Sequence, residues 1–407
     1  MKKSNLLALV SLLTMFTTGA YALDLNHPLP NWLDKSREKL DGLPPVQPKT
    51  RAVPPAGFHI PAEYEPAAAV VISWAAYTDM LTGIAQAATG PGHAKIWAVA
   101  GPKSISGVPA ASYSVINLPI DSVWVRDYGP FGLESGNKPG IVDTIYRHYQ
   151  ARRNDDAVPT GIAKAKGISV FAAPLILDGG NLMVDTKGNL FMTKRTYIWN
   201  SDKSQDQVDS ILKSYFGVKN IITFEYSGYP GDPADGTGHI DMFMKLLNDH
   251  TVLISTAETE PFKSNAEKAI AYFNNRKAPD GEMYKIITVK GWSTDAWYTY
   301  TNSLIVNGTV IMPSYTGKET ENAAGKAAYE QAGLKVVPVT SDESIVSGGS
   351  IHCTTQVIPV LPSGRAVSAD TDYTQVPEYT KVDMTGVAVT PLTTGNGAAA
   401  DQLVNSK

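Results

Sequence analysis

Cysteine is almost missing from this chain: Cys353 is the only one in 407 residues. An internal disulfide is therefore excluded, and stability must come from a buried core, which a chain of this length can supply. Charge is also sparse, at 18% of residues, and it leans acidic, with 35 basic against 39 acidic side chains. A net charge of −4 argues against a nucleic-acid partner. The apolar run Leu6–Phe16 is broken by Ser11 and Thr14 and is too short to span a bilayer, so no stable membrane anchor is expected. No glycine-rich loop sits between a strand and a helix in phosphate-binding style, and no His/Cys/Asp set has metal-ligand spacing. The expectation is a protein with no metal and no cofactor.

The ends of the chain differ from its middle. Lys2 and Lys3, the apolar run after them and Ala20-Tyr21-Ala22 have the layout of a secretory signal peptide over residues 1–22. Cleavage there removes two lysines and moves the net charge from −4 to −6. Export, to the periplasm or beyond, is the expectation. Residues 23–55 are polar and contain Pro44-Pro45 and Pro54-Pro55, which suggests an extended leader. Residues 363–407 lack periodicity and contain Thr393-Thr394-Gly395-Asn396-Gly397-Ala398, as a flexible tail does. One domain is expected between them, over residues 56–362.

Within that domain, apolar runs end in polar or glycine-marked spots at Ser73, Asp127, Asp178, His239, Asn302 and Cys353. The intervals are 54, 51, 61, 63 and 51 residues. A period of this size suggests a repeat architecture. The repeating unit is β-β-α-β. Ser303–Val306 and Thr309–Met312 flank Asn307-Gly308, a type I′ hairpin signal. Helical spacing follows at 204–216, with Val208, Ile211, Leu212 and Phe216 on one face and Gly217 as the stop. Residues 319–332 form another helix ending at Gly333, followed by a short strand at 334–339. Such α/β units set around an axis bring their polar spots to one centre, which then holds Arg126, Asp127, Asp178, His239, Asp241, Asn302 and Cys353.

Each of these residues has an ordinary reading as well. A lone cysteine is often core filler, and it can also be a nucleophile or a link to another chain. His239 can be a structural hydrogen-bonder, Asp127 an ion-pair partner of Arg126, Trp124 plain packing, and Asn302 a turn former. Arg152 and Arg153, beside Asp155 and Asp156, can be a solvated charged loop. Taken together the set suits one chemistry. His239 and Asp241 are two apart and share a face if the segment is a strand. A histidine moves protons near neutral pH and a thiol forms covalent intermediates. Two carboxylates need a cation between them, and a planar guanidinium satisfies both through paired hydrogen bonds. Its central carbon then lies open to sulfur, and loss of ammonia gives a urea.

Four motifs carry a resemblance: Trp124-Val125-Arg126-Asp127-Tyr128-Gly129-Pro130, Asp178-Gly179-Gly180-Asn181, Gly238-His239-Ile240-Asp241, and Gly348-Gly349-Ser350-Ile351-His352-Cys353-Thr354-Thr355-Gln356 through Pro359. They resemble the guanidine-modifying (pentein) superfamily, in the branch that joins Porphyromonas-type peptidylarginine deiminases and agmatine deiminases. The resemblance implies a five-bladed, pseudo-symmetric α/β propeller of ββαβ units. It implies that Cys353 is the nucleophile, that His239 protonates leaving ammonia and then activates water, and that Asp127 and Asp241 clamp the guanidinium. Asn302 matches a polar residue bordering the nucleophile, and Trp124 resembles the aromatic wall along the substrate stem. Arg126, Asp178 and Asn181, in the same motifs, are expected on the substrate side. The peptidylarginine branch grips a C-terminal carboxylate with an Arg-x-Arg pair. Here the run is Gln150-Ala151-Arg152-Arg153, so only Arg152 is kept, with Arg153 beside it.

The leading expectation is thus an exported hydrolase that deiminates arginine in peptides or proteins, with such a peptide or protein as its partner. The alternatives are an agmatine deiminase, which export and the two arginines disfavour, and a secreted binding protein that keeps the fold without turnover. A papain-like peptidase is disfavoured because the cysteine comes last in the order and the local motif is absent.

Overall fold

The computed structural model describes residues 24–38, 49, 52–135, 138–225 and 237–359. The expected signal peptide and the C-terminal tail lie outside the described residues, as does part of the expected leader.

Five sheets of mixed α/β character share one construction. A pair of strands runs antiparallel, a helical connection returns the chain, and a further strand pairs parallel with the second. In the second sheet the strands are Phe131–Ser135, Lys138–Ile145 and Ser169–Ile176, with helix Arg153–Lys166 before the last. The third has Met183–Val184, Asn189–Thr193 and Asn220–Phe224, with helices Arg195–Trp199 and Gln205–Phe216. Met244–Asn248, Thr251–Thr256 and Lys285–Lys290 make the fourth, with helix Phe262–Phe273. Leu304–Val306, Thr309–Ser314 and Lys335–Thr340 make the fifth, with helix Glu319–Glu330. The first sheet is assembled from both ends of the domain. Ala67–Ser73 pairs parallel with Lys95–Val99, which leads on to Tyr113–Ile116, and antiparallel with Gln356–Pro359 from the far end of the chain. A two-stranded ribbon, Trp292–Ser293 with Trp297–Tyr298, precedes the fifth sheet.

Local chemistry accounts for these elements. Ser204 and Gln207 form a reciprocal capping box at the start of Gln205–Phe216, and Gly217 at φ 67° ends it in the left-handed region. Val208, Ile211, Leu212 and Phe216 are buried against the second and third sheets. Each contributes roughly 1.5–3 kcal/mol by leaving water. Asn307 and Gly308 take φ values of 48° and 77°, as the hairpin signal requires.

Ser73 ends the strand Ala67–Ser73, but the spots at Asp127, Asp178 and His239 lie in or beside tight turns between strands. Asp127 lies in the single helical turn Val125–Tyr128, and Gly179–Asn181 and Ile240–Met242 are 3₁₀ turns. His239 caps the last of these in extended conformation. The Asn181 side-chain oxygen accepts both the Thr193 and Ile240 backbone N–H groups (2.9 and 3.2 Å), which pins that turn. His239 and Asp241 therefore converge through a turn rather than through strand alternation.

Candidate active site

Cys353, His239, Asp127, Asp178, Asp241 and Asn302 are brought together, each with 0% of its surface exposed. Asn302 frames the thiol. Its Nδ2 donates to Cys353 Sγ (3.2 Å), while its Oδ1 accepts the backbone N–H groups of Ser350 (2.9 Å) and Cys353 (3.3 Å). Asp241 Oδ2 lies 3.7 Å from the sulfur. Burial, and then the carboxylates of Asp241 and Asp127, push the Cys353 thiol well above its ordinary pKa, and the Asn302 donor opposes them.

His239 Nε2 sits 3.2 Å from Asp178 Oδ2, and Nδ1 sits 3.6 Å from Asp127 Oδ1 without a hydrogen bond. Burial works against charge on the ring, but Asp127 and Asp178 outweigh it and raise its pKa. Burial also lifts the Asp127 pKa to about 6, a rise that neighbouring Asp178 and Asp241 assist and His239 and Arg147 resist. Asp178 is held low. Burial would raise it, but Arg147, whose Nε lies 2.9 Å from Oδ2, and His239 prevail.

Three buried polar atoms lack partners here: His239 Nδ1, Asp241 Oδ1 and Asp178 Oδ1. Such atoms cost stability unless a ligand supplies what they miss. Glycines keep the space beside them open. A Cβ on Gly180 would lie 2.5 Å from His239 Nδ1, 3.0 Å from Asp127 Oδ1 and 3.1 Å from Asp241 Oδ2. One on Gly349 would lie 2.7 Å from Cys353 Sγ and 2.9 Å from the Trp124 ring. Trp124 is thus a neighbour of the thiol's own loop, with its indole N–H given to Leu29 O (2.9 Å).

The other expected contacts lie elsewhere. Arg126 turns away from Asp127, because successive residues on a helical turn point about 100° apart. It donates to His352 O (3.2 Å), Gln356 Oε1 (3.0 Å) and Glu63 Oε2 (3.2 Å), beside a separate cavity that Glu63, Lys245 and His352 also line. Asn181 spends its whole amide on Thr193, Thr196 and Ile240, so it holds the His239 turn instead of facing a substrate. Arg152 is not in a solvated loop. It is fully buried, bonded to Glu38 (2.7 and 3.0 Å) and to the carbonyl oxygens of Pro30 and Trp32. Arg153 is exposed at the start of a helix, its guanidinium 6.0 Å from the Tyr149 ring centre.

Sequence spacing also missed contributors. His352 joins Asp241 Oδ2 to Glu63 Oε2, each at 2.6 Å. Glu63 in turn meets Lys245 and Arg126, and those cations with His352 overcome its burial and keep its pKa well below the usual range. Asn31 donates to Asp127 Oδ2 (2.8 Å), and Arg147 reaches both Asn31 and Asp178. Only the adjacency of His352 to Cys353 hinted at any of this. Asp127, Asp178 and His239 also place ligand atoms within 4.8 Å of one another, a cation-sized set that linear spacing did not reveal. Arg147, Asn31 and the Gly180 N–H already donate to its carboxylates.

Paired buried carboxylates next to a thiol and an imidazole whose pKa is raised are fitted to a flat cation, which points to the deiminases. The sequence profile of the Porphyromonas-type peptidyl-arginine deiminases matches residues 59–359, and the chain belongs to that family. It is a hydrolase of C–N bonds in arginine-like guanidino groups. A Marinomonas protein with the provisional name agmatine deiminase is 25% identical over 363 residues, covering 76% of this chain and 97% of its own. The agmatine deiminase of Medicago truncatula is 22% identical, covering 75% and 97%. The solved agmatine deiminase of Enterococcus faecalis has a similar fold, with a TM-score of 0.65 at 21% identity, covering 77% of this chain and 99% of that one.

Proposed function

We propose that this enzyme deiminates a small free guanidine of agmatine's class, with Cys353 as the nucleophile. The observation that carries this reading is enclosure. The thiol, the acid/base and both carboxylates are fully buried, beneath a segment whose Leu29 and Asn31 touch Trp124 and Asp127. That arrangement suits a compact molecule better than a polypeptide. The relatives' names point the same way. The part of the sequence objection to a cationic tail that rested on Arg152 also falls, because Glu38 neutralises Arg152 in the interior. Peptidylarginine, the substrate first expected, becomes the second reading.

The chemistry follows from the charges. A bound guanidinium cancels the Asp127 and Asp241 charges that help keep the thiol protonated, so substrate binding expels the thiol proton to solvent and leaves the thiolate. Sulfur bonds to the guanidinium carbon, and protonated His239 gives its proton to the departing nitrogen, which leaves as ammonia. Neutral His239 then takes one proton from water, whose oxygen displaces sulfur, and the oxygen's second proton goes to the released thiolate, giving the ureido product and restoring the thiol. Asp178 holds His239 in the charged form. We read the five sheets as blades of a pseudo-symmetric propeller, with these turns at its axis. Export through residues 1–22, which by itself weighs against agmatine's class of substrate, is a separate proposal, and N-terminal sequencing of the mature protein from a periplasmic extract tests it.

Colorimetric assay of ureido product separates the substrates. Agmatine should be turned over with kcat/KM at least about 100-fold above peptides with internal or C-terminal arginine, a gap of roughly 2.7 kcal/mol at the transition state. Comparable or greater rates on the peptides would overturn the small-substrate reading.

A further inference from the structure

Residues 24–38 precede the family match, which begins at residue 59, yet they reach the centre of the site. Asn31 is fully buried and uses all of its polar groups there. Its Nδ2 donates to Asp127 Oδ2 (2.8 Å), and its Oδ1 and backbone oxygen both accept from Arg147 (2.8 and 2.5 Å). Its backbone N–H donates to Ser347 O (2.7 Å), in the loop that leads to Cys353. Arg147 continues to Asp178 Oδ2 (2.9 Å), which holds His239 Nε2 (3.2 Å). One asparagine thus links a clamp carboxylate to the support of the acid/base.

The residues around it form a continuous cover. Leu29 O takes the Trp124 indole N–H (2.9 Å). The Arg152 guanidinium donates to Pro30 O (2.8 Å) and Trp32 O (2.7 Å), and also to the Glu38 carboxylate. The Trp32 ring lies 3.2 Å from where a Cβ on Gly348 would sit.

We infer that Asn31 is a positioning residue of the active site and that residues 29–33 are its outer wall, limiting how much substrate lies beyond the guanidinium. This rests on the deiminase reading for its reaction but not for its geometry. A loose plug that substrate simply displaces is the rival. The buried Glu38–Arg152 pair favours a wall, because lifting the segment strips two interior charges of their partners. Asp127 is faced by Asn31, the Gly180 N–H, His239, Asp178, Arg147 and Asp241. Losing the Asn31 donor makes its carboxylate harder to ionise.

Two variants test this. Asn31→Ala should lower kcat/KM on agmatine about 10- to 100-fold, as for one hydrogen bond to a charged group. It should also move the acid limb of the pH profile upward while the melting temperature stays near wild type. Trp32→Ala should let fluorescein maleimide label Cys353 at least about tenfold faster, with iodoacetamide labelling changed little, as expected if bulk alone was excluded. Unchanged kcat/KM and pH profile in Asn31→Ala would overturn the positioning role, and a rise in kcat/KM would favour the plug. Equal maleimide rates in wild type and Trp32→Ala would overturn the wall. If wild type turns over no guanidine, the reaction assignment fails, and the labelling comparison still decides the wall.

Discussion

His352 Nδ1 lies 2.6 Å from Asp241 Oδ2, and the opposite ring nitrogen lies 2.6 Å from Glu63 Oε2. The ring thus bridges the two carboxylates, one at each ring nitrogen. This fixes one oxygen of Asp241 and leaves Oδ1 without a partner; on the proposed reading it accepts a substrate N–H. Because His352 precedes Cys353, the same turn that presents the thiol also sets the clamp.

His352→Gln tests that link. Glutamine keeps a donor but carries no charge, and its amide cannot donate to both carboxylates from opposite sides. KM for agmatine should rise about 10- to 100-fold, more than kcat falls, as for a lost charge-assisted contact. Steady-state kinetics with a melting curve separate this from simple unfolding. A KM at the wild-type value would remove His352 from the account.

The pH profile should report Asp127. Its folded pKa is raised from 3.8 to about 6, so between these values the buried carboxyl keeps its proton where an exposed one would have lost it. A neutral carboxyl does not clamp a cation, so kcat/KM should rise as pH climbs through about 6 and fall as it drops below. A flat profile between pH 5 and pH 7 would contradict an ionised Asp127 in the free enzyme.

Gly180 has no spare room on its inner side. A methyl group there would meet His239 Nδ1 at 2.5 Å and both clamp carboxylates within 3.1 Å. Gly180→Ala should cut kcat/KM by at least about 100-fold, comparable to losing one electrostatic anchor, because the methyl intrudes among the groups that act. Wild-type kinetics in this variant would show that substrate does not lie beside Gly180.

Arg152 was expected at the pocket mouth as a carboxylate receptor, and the buried Glu38 pair gives it a different duty. Arg152→Ala leaves Glu38 uncompensated in the interior and should cost about 3–5 kcal/mol of stability. Urea unfolding measures it. Undiminished stability, with KM raised only for peptides ending in arginine, would restore the original role.

Much of this was readable in advance where chemistry is local. The helix at 204–216 with its Gly217 stop, the Asn307-Gly308 hairpin and the recurring ββαβ pattern follow from short-range preferences. The spots at Asp127, Asp178, His239, Asn302 and Cys353 stood out because each interrupts an apolar run. What stayed hidden depends on contacts across long stretches of chain. Arg126 follows its own turn toward Glu63, 63 residues away, and Asn31 reaches Asp127 across 96. Nothing near Asn31 in a proline-rich leader marks it, and Arg152 beside Asn154-Asp155-Asp156 looks solvated until its partner Glu38 is known. The 3₁₀ turn at Ile240–Met242 is likewise set by Asn181, 59 residues earlier.

The most direct test follows ammonia and ureido product from agmatine in wild type and in Cys353→Ala. Removing one sulfur from a framed turn changes packing little, so the variant should fold. The account predicts equal amounts of the two products from wild type and no turnover from Cys353→Ala. Absence of ureido product from wild type, or continued turnover without the thiol, would contradict it.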